Sequence, residues 1–383
     1  MRNVDAAGLG IGDDFPPRLM GVLNVSEESP YDPSVFDDPG EAAAYVDEEL
    51  IGEGADIVDV GLESANKRFD VLSAEEELDR LDTAVQAIAS VSGDAIFSIE
   101  TRYHEVAAAA LDAGFEMVND ICGFADPEMP RVCADRDVAV VKMASPPDLT
   151  RPGAVESVDD IYAALQREGL TDKTIVDPAF GGWSEAKTLD DDRETFRRLR
   201  EFRALDRPIL VSINRKNFLR DIAGRSTEDA LPVSLAATAM AVERGAHVIR
   251  THDVAETRDA ALVGRAFARE RLRTTADDDV TVEEPDVTTA RKMGRHLDRL
   301  GADAAAARRG SVRVFELAGL SPAERDTLAT AAHNTSATVA GAPDDDRCLL
   351  AGTPADLSAV VDTAIGRSDA LDAALNAVVA VVD

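Results

Sequence analysis

Basic residues are scarce. Forty Lys and Arg stand against 73 Asp and Glu, a formal charge of −33, and only six of the 40 are Lys. Nucleic acid and anionic membrane surfaces both need basic faces, so neither is expected as a partner. Cysteine is scarcer still. Cys122, Cys133 and Cys348 have no metal-ligand spacing and suggest no disulfide framework, which fits a reducing compartment. No apolar run is long enough to cross a bilayer and no signal peptide precedes Asp5, so a cytoplasmic protein is the expectation. No G-x-G-x-x-G follows the first buried strand, which weighs against a dinucleotide-binding sheet.

What is present is enough apolar residue, 45%, to build a core. The acids are spread over helix faces and loops rather than gathered in one tail. That dispersal reads as a halophilic surface, which stays hydrated in concentrated salt; a merely acidic mesophilic surface is the alternative. From Arg18 to about Leu272, strands alternate with helices. "RLMGVLNV", "DIVDVG", "AIFSIET", "EMVNDI", "VAVVKMA", "TIVDPAF", "PILVSINR" and "HVIRTHDV" are the strands. Segments such as "SAEEELDRLDTAVQAIASV" carry apolar residues at helical spacing, and Gly54, Gly114 and Gly245 stand where helices end. Strands apolar on both faces and separated by helices imply a parallel sheet, and eight such units imply a (β/α)8 TIM barrel over residues 1–272. Residues 273–288, polar and acidic with one Pro, read as a linker. Residues 289–383 read as a small α+β domain without concentrated chemistry.

In a TIM barrel the reacting groups come from the C-terminal strand ends. Here those ends carry Asn24, Glu63 and Ser64, Glu100, Asn119 and Asp120, Lys142, Asp177, Asn214 to Lys216, and Arg250, His252 and Asp253. Any one of them has a structural explanation as a cap, a turn or a packed polar group. Together at one rim they need a ligand to offset them. Asn24, Arg250 and His252, from strands one and eight, suit phosphate oxygens with Mg²⁺. Glu100, Asn119, Asp177 and Lys216 suit the polar edge of a heterocycle.

"MGVLNVSEES", "ADIVDVGLES", "FSIETRYHEVAAAAL", "MVNDICG", "IVDPAF", "NRKNFL" and "VIRTHDV" resemble, in order, the signatures of the dihydropteroate synthase family, from about Leu19 to Val254. The resemblance implies condensation of 6-hydroxymethyl-7,8-dihydropterin pyrophosphate with p-aminobenzoate on a TIM barrel with Mg²⁺, and a homodimer. It implies that Asn24 holds metal and pyrophosphate, and that Arg250 and His252 grip the leaving group. Glu100, Asn119 and Asp177 would bind the pterin. Lys216, beside Arg215, would contact the pterin and shape the aminobenzoate pocket. Phe180 would pack on the aminobenzoate ring, and Asn217 would stand near its carboxylate. Asp177, Lys216, Arg250 and His252 are the expected catalytic set.

The chain departs from that pattern. Ala65 and Asn66 replace Thr and Arg after the second strand, with Lys67 or Arg68 available to restore the charge. Glu100 replaces Asp, Ala144 replaces His, and Gly181-Gly182-Trp183-Ser184 enlarges a loop. Two other functions stay open on these residues. One is a pterin-binding methyltransferase serving a corrinoid partner; the other is a catalytically weak scaffold.

Overall fold

The computed structural model describes residues 2–25, 34–63, 71–150, 152–167, 169–181, 186–277, 280–341 and 347–381. Two compact units result, Met1–Glu270 and Arg271–Asp383.

The first unit opens with an antiparallel hairpin, β1 (Val4–Ala6) and β2 (Leu9–Ile11). Eight parallel strands follow: β3 (Arg18–Asn24), β4 (Ile57–Gly61), β5 (Ile96–Thr101), β6 (Met117–Asp120), β7 (Ala139–Met143), β8 (Thr174–Asp177), β9 (Leu210–Ser212) and β10 (Val248–Thr251). Their order is β8-β7-β6-β5-β4-β3-β10-β9. Val176 bridges Ile209 in parallel, and its N–H donates to Pro208 O at 2.9 Å, so β8 meets β9 and the ring closes. The (β/α)8 barrel read from the alternating pattern is thereby found.

Local chemistry sets the intervening helices. Ser73 caps the helix Ala74–Ser90 through a reciprocal box with Glu76, whose Oε2 accepts the Ser73 N–H at 2.8 Å. Gly54, Gly114 and Gly245 take φ of +105°, +112° and +100°, the left-handed geometry expected after a helix.

Met20, Ile57, Met117, Val141, Ile175, Leu210 and Val248 fill the barrel and pack with Val4, Ala6 and Ile11 of the hairpin. The hairpin thus seals the N-terminal end, a feature the short, glycine-bearing "VDAAGLGI" does not announce. Beside it, Asp13 accepts both bonds of Arg203 Nη2 at 2.9 and 2.7 Å and lies 3.3 Å from His247 Nε2.

In the second unit, β11 (Arg273–Asp277) and β12 (Val280–Glu283) form an antiparallel hairpin within the stretch expected as a linker. β13 (Arg313–Ala318), β14 (Thr338–Ala340) and β15 (Arg347–Gly352) form an antiparallel sheet in the order β13-β15-β14. Leu317, Leu350, Leu357, Val360, Leu371 and Leu375 make its core, so the α+β character is as expected. The helix Asp369–Val379 supplies Leu371 and Leu375 to that core. Among the described residues no helix is long and apolar enough to cross a membrane.

Candidate active site

Strand geometry decides which side chains face the barrel axis. Alternate residues point to the same face. Counting by two from the interior residues Met20, Ile57, Met117, Ile175 and Val248 leads to Asn24, Asp59, Asn119, Asp177 and Arg250. Register places Asn24 beside Gly61, Gly61 beside Glu100, and Glu100 beside Asn119. These inward positions form a polar layer above an apolar one. Asp120 and Lys142 have the opposite parity. Asp120 accepts the Cys122 and Phe124 N–H groups, and Lys142 Nζ donates to Arg167 O at 2.9 Å.

Within the layer, Asp59 Oδ2 accepts Asn119 Nδ2 at 2.9 Å and Arg250 Nε at 2.8 Å. Arg250 Nη2 donates to Glu100 at 2.6 Å. Arg250, grouped with Asn24 and His252 from the sequence, thus makes its ion pairs with two carboxylates, one of them Glu100 of the other group. Asn24 Nδ2 donates to the buried Ser34 at 2.9 Å, which leaves its carbonyl oxygen toward Gly61. Asp177 accepts the Ala179 N–H at 2.8 Å.

Lys216, from the turn after β9, lies against Gly181. A Cβ there would sit 3.2 Å from the lysine Nζ, which the flexible side chain can yield, and it is the φ of +116° that calls for glycine. Lys187 supports the same loop from behind, donating to Ala179 O at 2.6 Å and pairing with Asp192 at 3.2 Å.

Burial governs the protonation states. It pushes Asp177 up to about 6 against the Ala179 N–H and the charge of Lys216. It lowers Lys216 to about 8 against the pull of Asp177. Burial also raises Glu100; Arg250 opposes that shift, while Asp59 and Glu63 add to it. His252 falls to about 3 through burial and then the charge of Arg250, so its imidazole is neutral at pH 7. The Arg250 side chain is largely withdrawn from water, at 19% exposure, yet Glu100 and Asp59 hold it firmly charged.

Three expected residues are engaged elsewhere. Arg215 makes a two-point ion pair with Asp253, at 2.9 and 2.7 Å, and donates to the Thr227 and Glu228 carbonyls. Phe180 is 1% exposed, stacked on Phe218 at 5.8 Å and edge-on to Phe196 at 6.0 Å. Asn217 is exposed and accepts from Arg220. Ser64, Ala65, Asn66, Lys67, Arg68, Gly182, Trp183 and Ser184 lie outside the described residues.

Comparison with known proteins gives this geometry a family. The model of pterin binding enzymes matches residues 20–252. The chain belongs to the pterin-binding enzyme family. The dihydropteroate synthase of Escherichia coli K12 is 30% identical over 267 residues, 65% of this chain and 91% of that one. A Haloferax volcanii relative, described as a probable bifunctional folylpolyglutamate synthase/dihydropteroate synthase, is 34% identical over 71% of this chain. This chain spans about a third of that relative's length (33%). Thermus thermophilus dihydropteroate synthase in complex with 6HMPPP is 31% identical, with a TM-score of 0.57 over 70% of this chain and 100% of its own. The same enzyme with 4-aminobenzoate gives 30% and 0.56, over 70% and 100%.

Sequence reading of this pterin-binding barrel missed Asp59, Ser34 and Lys187. Asp59 had a signal: a carboxylate in mid-strand, with the parity of the interior residue Ile57. Ser34 and Lys187 depend on loop paths that no periodicity reveals.

Proposed function

We propose that the barrel unit is a dihydropteroate synthase, joining 6-hydroxymethyl-7,8-dihydropterin pyrophosphate to p-aminobenzoate with release of pyrophosphate. The observation that carries this reading is the inward layer of Asp59, Glu100, Asn119, Asp177, Lys216 and Arg250. Two carboxylates, Glu100 and Asp177, can accept the N–H donors of a pterin, while Lys216 and Asn119 can donate to its ring nitrogens and carbonyl. Kinship with synthases that bind 6HMPPP and 4-aminobenzoate supports the same substrates.

In the reaction the C–O bond between the pterin methylene and pyrophosphate breaks. The arylamine nitrogen then bonds to that carbon and releases a proton. Asp177 and Glu100 steady the positive charge that spreads into the pterin ring. Lys216 and Arg250 hold the ring in place, and holding it supplies rate by orienting the carbon toward the amine. Neutral His252 can donate a hydrogen bond to the departing phosphate without adding a charge of its own.

The oxygen set at Asn24 and Glu100 fits a hard cation that keeps most of its ligands from water and phosphate, as Mg²⁺ does. Asn24 would hold it, and the ion would neutralise charge on the leaving pyrophosphate.

The test is pyrophosphate release by purified protein supplied with both substrates and Mg²⁺ in concentrated salt. Turnover that requires p-aminobenzoate supports the synthase. Binding of pterin with no release would leave a scaffold, and methyl transfer to a corrinoid would identify the methyltransferase.

A further inference from the structure

We propose that Arg102, with Tyr103, is a positioning residue for the pterin end of the mouth: one guanidinium ties the chain leaving β4 at Glu63 to the chain approaching the next helix at Leu72. The inference rests on the synthase reading for its ligand, pterin pyrophosphate, and for its kinetic readout.

Arg102 follows β5 directly and is fully buried, at 0% exposure. Its Nη1 pairs with Glu63 and lies 3.6 Å from Glu77. Its Nη2 donates to Leu72 O at 2.6 Å and to the Tyr103 hydroxyl at 2.9 Å. The Tyr103 hydroxyl in turn donates to Leu72 O at 2.7 Å. The second oxygen of Glu63 accepts the Leu72 N–H at 3.0 Å. Thr101 donates to Glu77 at 2.6 Å, which fixes the remaining carboxylate.

Two features separate this cluster from ordinary packing. An arginine with its guanidinium wholly out of water is costly, and apolar residues would serve a purely structural role at least as well. The cluster also sits where displacement would be felt. A Cβ on Gly61 would lie 3.9 Å from the Glu63 carbonyl, 3.3 Å from Asn24 Oδ1 and 3.8 Å from Glu100 Oε1. The end of β4 therefore packs against both polar side chains at that edge of the mouth. Glu63 cannot swing outward while Arg102 holds it, and Gly61 stays in register with Asn24 and Glu100.

The experiment compares Arg102→Met, Arg102→Lys and Tyr103→Phe with the parent protein. It measures pterin pyrophosphate binding by titration, and KM and kcat for each substrate, on material shown folded by circular dichroism. Tyr103→Phe, which keeps the ring and removes one donor, is expected to weaken pterin pyrophosphate binding about threefold, and Arg102→Met about tenfold or more. Arg102→Lys should fall between, and the KM for p-aminobenzoate should change little in all three. Pterin affinity unchanged in folded Arg102→Met, or in Tyr103→Phe and Arg102→Lys if Arg102→Met fails to fold, would overturn the proposal. Binding is read without turnover, so a parent protein that binds pterin pyrophosphate but releases none would count against the synthase reading alone.

Discussion

The Nε of Arg250 lies 2.8 Å from Oδ2 of Asp59, a carboxylate with no exposed surface in the middle of β4. That oxygen also receives Asn119, so one acid orients two groups that point into the barrel mouth. Asp59→Asn keeps the shape and removes the charge. Arg250 would then have Glu100 as its remaining close carboxylate, free to draw it out of line. With its partner's charge removed Arg250 no longer holds its position, and kcat/KM is expected to fall about a hundredfold, equivalent to about 3 kcal/mol of transition-state stabilisation. Steady-state kinetics on the folded variant decide it, and parent-like kinetics would reduce Asp59 to a packing residue.

The pH profile follows from Asp177 and Lys216. Burial raises Asp177 to about 6, so the empty fold holds its proton more tightly than an unfolded chain does, and fold stability from this group declines as pH rises toward 6. A pterin N–H needs the ionised carboxylate, so ligand affinity runs the other way and increases up to about pH 6. Lys216, lowered to about 8, loses its charge above that pH and closes the profile on the basic side. Titration of pterin pyrophosphate binding should show both limbs. Asp177→Asn should weaken the acidic limb and leave the share that belongs to Glu100, whose carboxyl burial also raises; an acidic limb unchanged in that variant would assign all of it to Glu100.

All eight barrel strands were legible because they are apolar on both faces and bounded by helices, so composition alone marks them. The mouth was legible in outline, since polar residues at strand ends stand out against apolar runs. What stayed hidden was pairing. Nothing in the order of residues says that Arg250 faces Asp59 and Glu100, 191 and 150 positions away. Nor does it say that Arg215 meets Asp253, which the folding of two loops decides. Phe180 is instructive in another way. An aromatic beside a catalytic loop can face a ligand or the core, and only Phe196 and Phe218 in space show that it packs inward.

At the far end of the barrel, Asp13 contributes to stability instead of chemistry. Burial would raise its pKa, but His247 and Arg203 outweigh that and hold it far below the usual carboxylate range. A depressed acid stabilises the fold above its unfolded pKa near 3.9, and that contribution fades as pH falls toward the folded value. Asp13→Ala should lower stability on the order of 3 kcal/mol at pH 7, with the gap from the parent narrowing below about pH 4. Turnover of the folded variant should match the parent, since this face lies opposite the mouth. Denaturant melts at pH 7 and pH 3.5 supply the comparison, and a gap independent of pH would refute the ionic account.

Net charge predicts a salt requirement. At −33 the chain repels itself, and screening shortens the reach of that repulsion from about 10 Å at 0.1 M to about 3 Å at 1 M. The melting temperature should therefore climb steeply with KCl up to molar concentrations and more slowly beyond. A melting temperature that stays flat from about 0.1 M to about 2 M, across which the screening length falls more than threefold, would indicate that the acids are merely solubilising.

Against that acidic surface, two packed helices of the barrel unit expose large apolar side chains. The helix Leu231–Glu243 carries no charged side chain before Glu243, and the helix Val254–Ala266 packs on it so closely that Gly264 leaves no room for a Cβ against Ala239 O. Together they expose Met240, Leu262 and Val263, each about half open, and Phe267 at 80%. Adjacent exposed apolar residues of this kind mark an interaction site more often than chance solvation. We propose that a second copy covers them, since a two-fold axis lets one patch bury its own equivalent. Sedimentation in high salt should give twice 40.8 kDa. Val263→Asp combined with Phe267→Asp should give a folded monomer, because four buried carboxylates without partners would oppose association. A parent protein that sediments as a monomer, or a double variant that remains a dimer, would place the interface elsewhere.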